Sequence, residues 1–172
     1  EYAEATLQKL TQVDLSQIKT YWFTEGILAD VKMMIARTGY TGEDGFEIMF
    51  SPEHSQNIWH AIMAAGREFD IEPIGLGARD TLRMEVKYCL YGNDIDKTTN
   101  PLEAGLKWIT KLDKGDFIGR EAILKINQQG IQRKLIGFEL EGKAIPRHGY
   151  KIFNEAEDIG SAMFSYPRLY EA

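Results

Sequence analysis

Two side chains in this sequence are placed to do chemistry together. Glu47 lies between Phe46 and Ile48, and an ionised carboxylate there can accept two parallel N–H bonds. A flat heterocycle with an amidine-like edge, such as a pterin, offers that pair of donors. Strand glutamates also simply face solvent, and the pattern alone leaves both readings open. Arg79 follows Gly75-Leu-Gly-Ala78. It falls in the first turn of an expected helix, where the macrodipole disfavours a cation by a few tenths of a kcal/mol, up to ~1. Arg83, one turn further on, adds a like-charge cost of roughly 0.2 to 0.5 kcal/mol. Something anionic or hydrogen-bond-accepting should offset this, either a ligand or an ordinary salt bridge to Glu47 or Glu85. Tyr40, between Gly39 and Gly42, can stack on a flat ring or plug its own turn.

The elements around these residues follow from periodicity. Val31, Met33 and Ile35 alternate on one face of a strand, and Phe46, Ile48 and Phe50 on another. Glu47 therefore points away from the phenylalanines. Thr38 to Gly45 holds three glycines, a density that calls for positive φ or close backbone approach. The two strands are expected to pair as a hairpin with a long connection. A helix is expected over Ser55 to Arg67, with Ile58, Ile62 and Ala65 inward. Another runs from about Ala78 to Tyr88, with Ala78, Leu82 and Val86 buried and Arg79, Arg83 and Lys87 on a second stripe. A short amphipathic helix is expected in residues 1 to 12, followed by a turn capped by Asp14. Tyr21, Trp22 and Phe23 read as core packing. Further on, strand character is expected near Lys107 to Lys111, over Lys134 to Leu140 and over Tyr150 to Phe153. A helix over Ile118 to Gln129, with Ala122, Ile123 and Ile126 inward, stops at Gly130. Pro146 to Gly149 is a turn. A soft boundary falls near residues 127 to 132.

Composition removes several classes of function. The chain has 172 residues, 44% of them hydrophobic, and a net charge of -6. The acidic balance lacks the basic face of a nucleic-acid binder. No apolar run approaches the ~18 residues a membrane helix requires. The single cysteine, Cys89, excludes a disulfide framework, suits a reducing cytoplasm and reads as buried and inert. His54, His60 and His148 form no metal-ligand spacing. Gly75-Leu-Gly-Ala-Arg-Asp80 is not a dinucleotide fingerprint, because Asp80 stands where the third glycine would be. The first residue is Glu1, so the sequence reads as a piece of a longer protein.

Three motifs in order carry a resemblance. Thr38-Gly-Tyr-Thr-Gly-Glu-Asp-Gly-Phe-Glu-Ile48, Gly75-Leu-Gly-Ala-Arg-Asp80 and Leu90-Tyr-Gly-Asn-Asp-Ile-Asp96 are similar to those of aminomethyltransferases, the T-proteins of the glycine cleavage system. Pro101-Leu-Glu, Trp108 and Phe117-Ile-Gly-Arg-Glu-Ala122 resemble the same family, and the likeness runs from residue 1 to about 160. The resemblance implies an α+β fold: an antiparallel ferredoxin-like sheet with helices in residues 1–130, then an incomplete β-barrel domain in 131–172. It implies a transferase that moves the one-carbon unit from the aminomethyl-lipoyl arm of the H-protein to tetrahydrofolate with release of ammonia. Tetrahydrofolate is the cosubstrate, the lipoylated H-protein the partner, and neither nucleic acid nor membrane is involved. The setting implied is the bacterial cytoplasm or the mitochondrial matrix. The family's pterin-contacting tyrosine and glutamate fall on Tyr40 and Glu47, and its substrate-binding arginine on Arg79.

Two departures accompany it. The family's catalytic aspartate belongs to a segment N-terminal to this sequence, so no catalytic residue is assigned and the chain alone is expected to be inactive or a weak folate binder. After Gly160, the stretch Ser161 to Tyr170 does not match the family. Folate-binding domains of dimethylglycine- or sarcosine-oxidising enzymes share the fold and form one alternative. The tRNA-modification-linked folate proteins form another, but Lys87-Tyr-Cys-Leu-Tyr-Gly-Asn-Asp94 lacks their Gly-Gln-Glu ending. A third is a structural module in which Glu47 and Arg79 pair with each other.

Overall fold

A computed structural model describes residues 1–141 and 144–163. The chain packs as two compact units, Glu1–Val86 and a second that begins at Lys87.

The first unit is built on a three-stranded antiparallel sheet, β1 (Phe23–Leu28), β2 (Val31–Ala36) and β3 (Glu47–Met49), in that order. Helices α1 (Ala3–Gln8) and α2 (Ser55–Ala65) complete its core, and α3 (Leu76–Glu85) follows. Leu7, Leu15, Ile18, Leu28, Met33, Ile35 and Ile58 form one buried cluster, with Phe46, Ile48, Phe50 and Ile62 packed against it. The expected β2–β3 hairpin is present, with Ala36 opposite Glu47 and Ile35 opposite Ile48. Asp14 caps a 3-10 turn over Leu15–Gln17 by accepting from the Ser16 amide at 3.1 Å.

Strand β1 was not legible. It joins β2 through a two-residue loop, since Leu28 pairs with Val31. Ala29 and Asp30 both have positive φ, 46° and 63°, the pattern of a tight hairpin turn that usually advertises itself with Asn-Gly or Asp-Gly. Gly26 inside β1 further weakens the strand pattern. A Cβ at Gly26 would collide with Val13 Cγ2, so close packing explains the residue.

The expectation that Tyr21, Trp22 and Phe23 lie in the core is overturned: they are 64%, 61% and 61% exposed. Tyr21 and Trp22 precede β1, and for Phe23 parity along the strand is the reason. Leu28 faces the core, so Phe23, Glu25 and Ile27 share the other face. On that open face Phe23, Ala36 and Glu47 form one cross-strand row, and Glu25, Met34 and Met49 the next.

The apolar stripe expected on α3 is also corrected. Leu82 and Val86 are 37% and 43% exposed, whereas Arg83 is 1% exposed. Asp80, one turn earlier, holds Oδ1 3.7 Å from Arg83 Nε. A buried guanidinium is tolerable when its counter-charge is built in alongside, and hydropathy periodicity cannot register such a pair.

In the second unit α4 (Arg120–Gln129) ends at Gly130 with φ 84°, as expected. Ile123 and Ile126 are half-buried, but Ala122 is exposed and Leu124 takes the inward place. Strands β4 (Lys151–Asn154) and β5 (Glu157–Ser161) form an antiparallel hairpin with a bulge at Ile152/Phe153. The Arg147–Tyr150 turn precedes it, closed by Tyr150 N–H to Arg147 C=O at 3.0 Å. Two strand expectations fail. Lys107 to Lys111 is a run of turns, in which Leu106 C=O accepts from both Ile109 and Thr110. Among the described residues Lys134 to Leu140 joins no ladder; its Leu135 N–H donates to Glu103 C=O at 2.9 Å. Both segments alternate in hydropathy, but a strand also needs a partner edge. Cys89 is half-buried rather than buried. No helix among the described residues is long and apolar enough to cross a membrane. The divergent tail beyond Met163 lies outside the described residues.

Candidate functional site

Tyr40, Glu47 and Arg79 all belong to the first unit, on three different supports. Tyr40 sits in the loop between β2 and β3, Glu47 opens β3, and Arg79 closes the first turn of α3, its amide bonded to Gly75 C=O at 3.2 Å. The structure brings two of them together. The Arg79 guanidinium lies over the Tyr40 ring, 4.5 Å from its centroid, a cation–π contact worth ~0.5 to 1 kcal/mol where partly exposed. Arg79 Nη1 also lies 3.7 Å from Asp80 Oδ1. The offset that the awkward helix position demanded is thus a π-face and a neighbouring aspartate.

Glu47 joins neither. Among the described residues no ion pair links it to Arg79, so the reading in which these two neutralise each other has no geometric support. Its side chain is exposed on the open sheet face, in the row with Ala36 and Phe23. A carboxylate there is available to an incoming donor pair, and an aromatic ring stands in the same row.

The loop carrying Tyr40 is fastened at both ends. Of its three glycines only Gly42 is conformationally required. Its φ is 80°, and a Cβ there would stand 2.5 Å from Val86 Cγ1, whereas Gly39 and Gly45 have open space. Sequence reasoning missed the polar fastener. Arg37, the residue before the loop, donates from Nε and Nη2 to the two carboxylate oxygens of Asp44 at 2.9 and 2.6 Å. Its Nη1 lies 2.8 Å from Glu4 Oε2 and donates to Leu15 C=O at 3.3 Å. Hydrogen bonds from Arg37 hold the Asp44 carboxyl below its ordinary range, and the bonds to Asp44 raise Arg37 in turn. An arginine and an aspartate bracketing a glycine-rich turn were the available signal.

In the third family-like motif two aspartates accept hydrogen bonds from nearby residues. Asp94 Oδ2 accepts from Leu90 N–H at 2.9 Å, and Asp96 Oδ1 accepts from the Thr98 amide and hydroxyl, both at 2.7 Å. Those bonds from Thr98 lower the Asp96 carboxyl. Among the described residues, no cluster of three or more His, Cys, Asp or Glu side chains could hold a metal ion.

The chain belongs to the GCVT N-terminal domain family, which matches residues 2–114. Within that family its relatives are named aminomethyltransferases. It is 53% identical over 154 residues to one from Halothermothrix orenii, covering 90% of this chain and 43% of that protein. It is 54% identical over 157 residues to one from Bacteroides thetaiotaomicron, covering 90% of this chain and 44% of that one. Among solved structures it is similar to glycine cleavage system aminomethyltransferase T from Bartonella henselae, with TM-score 0.80 and 32% identity over 93% of this chain and 44% of that one. The chain therefore spans less than half the length of these relatives.

Proposed function

We propose that this chain is the folate-contacting part of a tetrahydrofolate-dependent aminomethyltransferase of glycine cleavage. In that reaction the methylene carbon of an aminomethyl group leaves the lipoyl arm of an H-protein. It becomes the methylene bridge of methylenetetrahydrofolate, and the amine departs as ammonia. Identity of about half to named aminomethyltransferases favours this over the dimethylglycine- or sarcosine-oxidising and tRNA-modification alternatives. Residues 1–130 are assigned to the folate-binding, ferredoxin-like region and 131–172 to the opening of a β-barrel domain, consistent with the β4–β5 hairpin. The setting is the cytoplasm, or the mitochondrial matrix in a eukaryote.

The contact of the Tyr40 ring with Arg79 carries the site assignment. It brings a flat aromatic face and a fixed cation to one place, as a flat ring bearing an anionic tail requires. Glu47 accepts two N–H bonds from the pterin's amidine edge, and its exposed carboxylate is free to do so. Tyr40 supplies the stacking face, and Arg79 supplies positive charge beside it. No catalytic residue is assigned within the chain. The test is calorimetric titration of the folded chain with 5-formyltetrahydrofolate beside Glu47→Ala. Loss of a charge-assisted bond pair weakens binding by about tenfold or more. Equal affinity in the two proteins refutes the role of Glu47, and no binding by the folded parent chain refutes its sufficiency as a folate site.

A further inference from the structure

Arg37 touches none of the proposed folate contacts, yet its bonds decide where one of them stands. It follows the last residue of β2, and its backbone is tied down on both sides: Arg37 N–H donates to Trp22 C=O at 2.9 Å, and Tyr21 N–H donates to Arg37 C=O at 2.8 Å. Its side chain is only 17% exposed. From that fixed base the guanidinium grips both oxygens of Asp44, seven residues along. It also reaches Glu4 on α1 and the Leu15 carbonyl. The Phe46 ring lies 5.2 Å from its centre. Arg37 and Asp44 thus close the chain between them into a ring, and Tyr40 sits inside that ring. The far side of the ring rests on α3 through Gly42 and Val86, and α3 carries Arg79.

We propose that Arg37, through its fork with Asp44, is the positioning residue that holds Tyr40 against Arg79. The role in ligand binding rests on the folate reading above; the role in placing the ring does not. Lysine cannot substitute. It is a point charge without the planar fork, and it cannot span Asp44, Glu4 and the Leu15 carbonyl together.

The experiment reads the placement without a ligand. A guanidinium over an aromatic face has its Nε–H and Cδ protons moved upfield by the ring current. Proton–nitrogen spectra of the 172-residue chain, with Tyr40→Leu as the zero, measure that displacement for Arg79. Arg37→Lys and the gentler Asp44→Asn are compared with the parent, each also titrated with 5-formyltetrahydrofolate. The expected result is loss of at least half of the upfield displacement in both variants, with folate affinity down about tenfold. A purely structural role lowers the melting temperature and leaves the displacement intact in the folded protein. Should Arg37→Lys fail to fold, Asp44→Asn carries the test. A retained displacement in the folded variants overturns the proposal, as does its absence in the parent. Lost displacement with unchanged affinity overturns the ligand-directed part. Lost displacement in a chain whose parent binds no folate leaves the positioning role established and removes the folate reading instead.

Discussion

The fastening of the Tyr40 loop at Gly42 gives the sharpest stability prediction. Gly42→Ala meets two separate penalties. At φ 80° an L-residue costs roughly 1 to 2 kcal/mol over glycine. The new methyl also stands 2.5, 3.2 and 3.3 Å from Cγ1, Cγ2 and Cβ of Val86. Rotation of Val86 about χ1 does not clear the clash, because Cβ itself is close and a β-branched side chain occupies two of the three γ positions. Overpacking of this kind costs about 1 to 3 kcal/mol. Together these give about 2 to 5 kcal/mol. With a urea slope of about 1.5 kcal/mol/M for a unit of this size, the midpoint falls by about 1.3 to 3.3 M. Val86→Ala alone costs under about 1 kcal/mol, because Val86 is exposed. The double variant recovers the clash component and keeps the φ component, so the two changes couple by about 1 to 3 kcal/mol. Trp108→Phe leaves Trp22 and Trp59 as fluorescent reporters of the first unit alone. Additive effects, with no coupling beyond ~0.5 kcal/mol, refute the close approach as the reason for glycine at this position.

Two further predictions concern the charge pairs. Asp80→Ala removes a carboxylate 3.7 Å from the fully buried Arg83 and costs more in urea unfolding than Arg79→Ala, which at a half-exposed site costs under ~1 kcal/mol; equal costs contradict the burial argument. Asp44, held by Arg37 below the ordinary carboxylate pKa of about 3.9, contributes stability that is present above that value and is lost as pH falls through its own lowered pKa. The stability gap between the parent chain and Asp44→Asn is therefore largest near neutral pH, at most ~1 kcal/mol for so exposed a carboxylate, and closes in acid; a gap that widens in acid contradicts the fork.

What the sequence made legible was local. The alternation of Val31, Met33 and Ile35 and the helical repeat of Ile58 and Ile62 each reflect one buried face, and the elements stand where they were read. Asp14 and Gly130 worked as caps because capping chemistry is confined to a few neighbouring atoms. The failures share a different cause. Strand β1 was hidden behind a turn made of Ala29 and Asp30 instead of glycine. The exposed Tyr21–Phe23 run shows that aromatic content alone does not choose a face; within β1, parity relative to Leu28 places Phe23 outward. Lys134 to Leu140 has strand-like alternation but no pairing partner among the described residues, which no local pattern reveals. Arg83 defeats periodicity because a buried cation beside an aspartate leaves no trace in hydropathy. At the candidate site, Tyr40, Glu47 and Arg79 were picked out by residue type and position, but the contact between Tyr40 and Arg79 was not read, and the expected meeting of Glu47 with Arg79 is not seen among the described residues. The Arg37–Asp44 fork was not read, since an ion pair across a turn depends on how the turn closes.

The central claim, that the Glu47 carboxylate receives the amidine edge of a pterin, is tested most directly by a cycle that alters both partners of the bond. 5-Formyltetrahydrofolate and an analogue lacking the 2-amino group are titrated calorimetrically into the parent chain and into Glu47→Gln. If the carboxylate and the amino group meet, either change alone weakens binding by about 1.5 to 3 kcal/mol, and making both costs little more than making one. Independent, fully additive losses, or an analogue that binds as tightly as the parent folate, contradict the assignment.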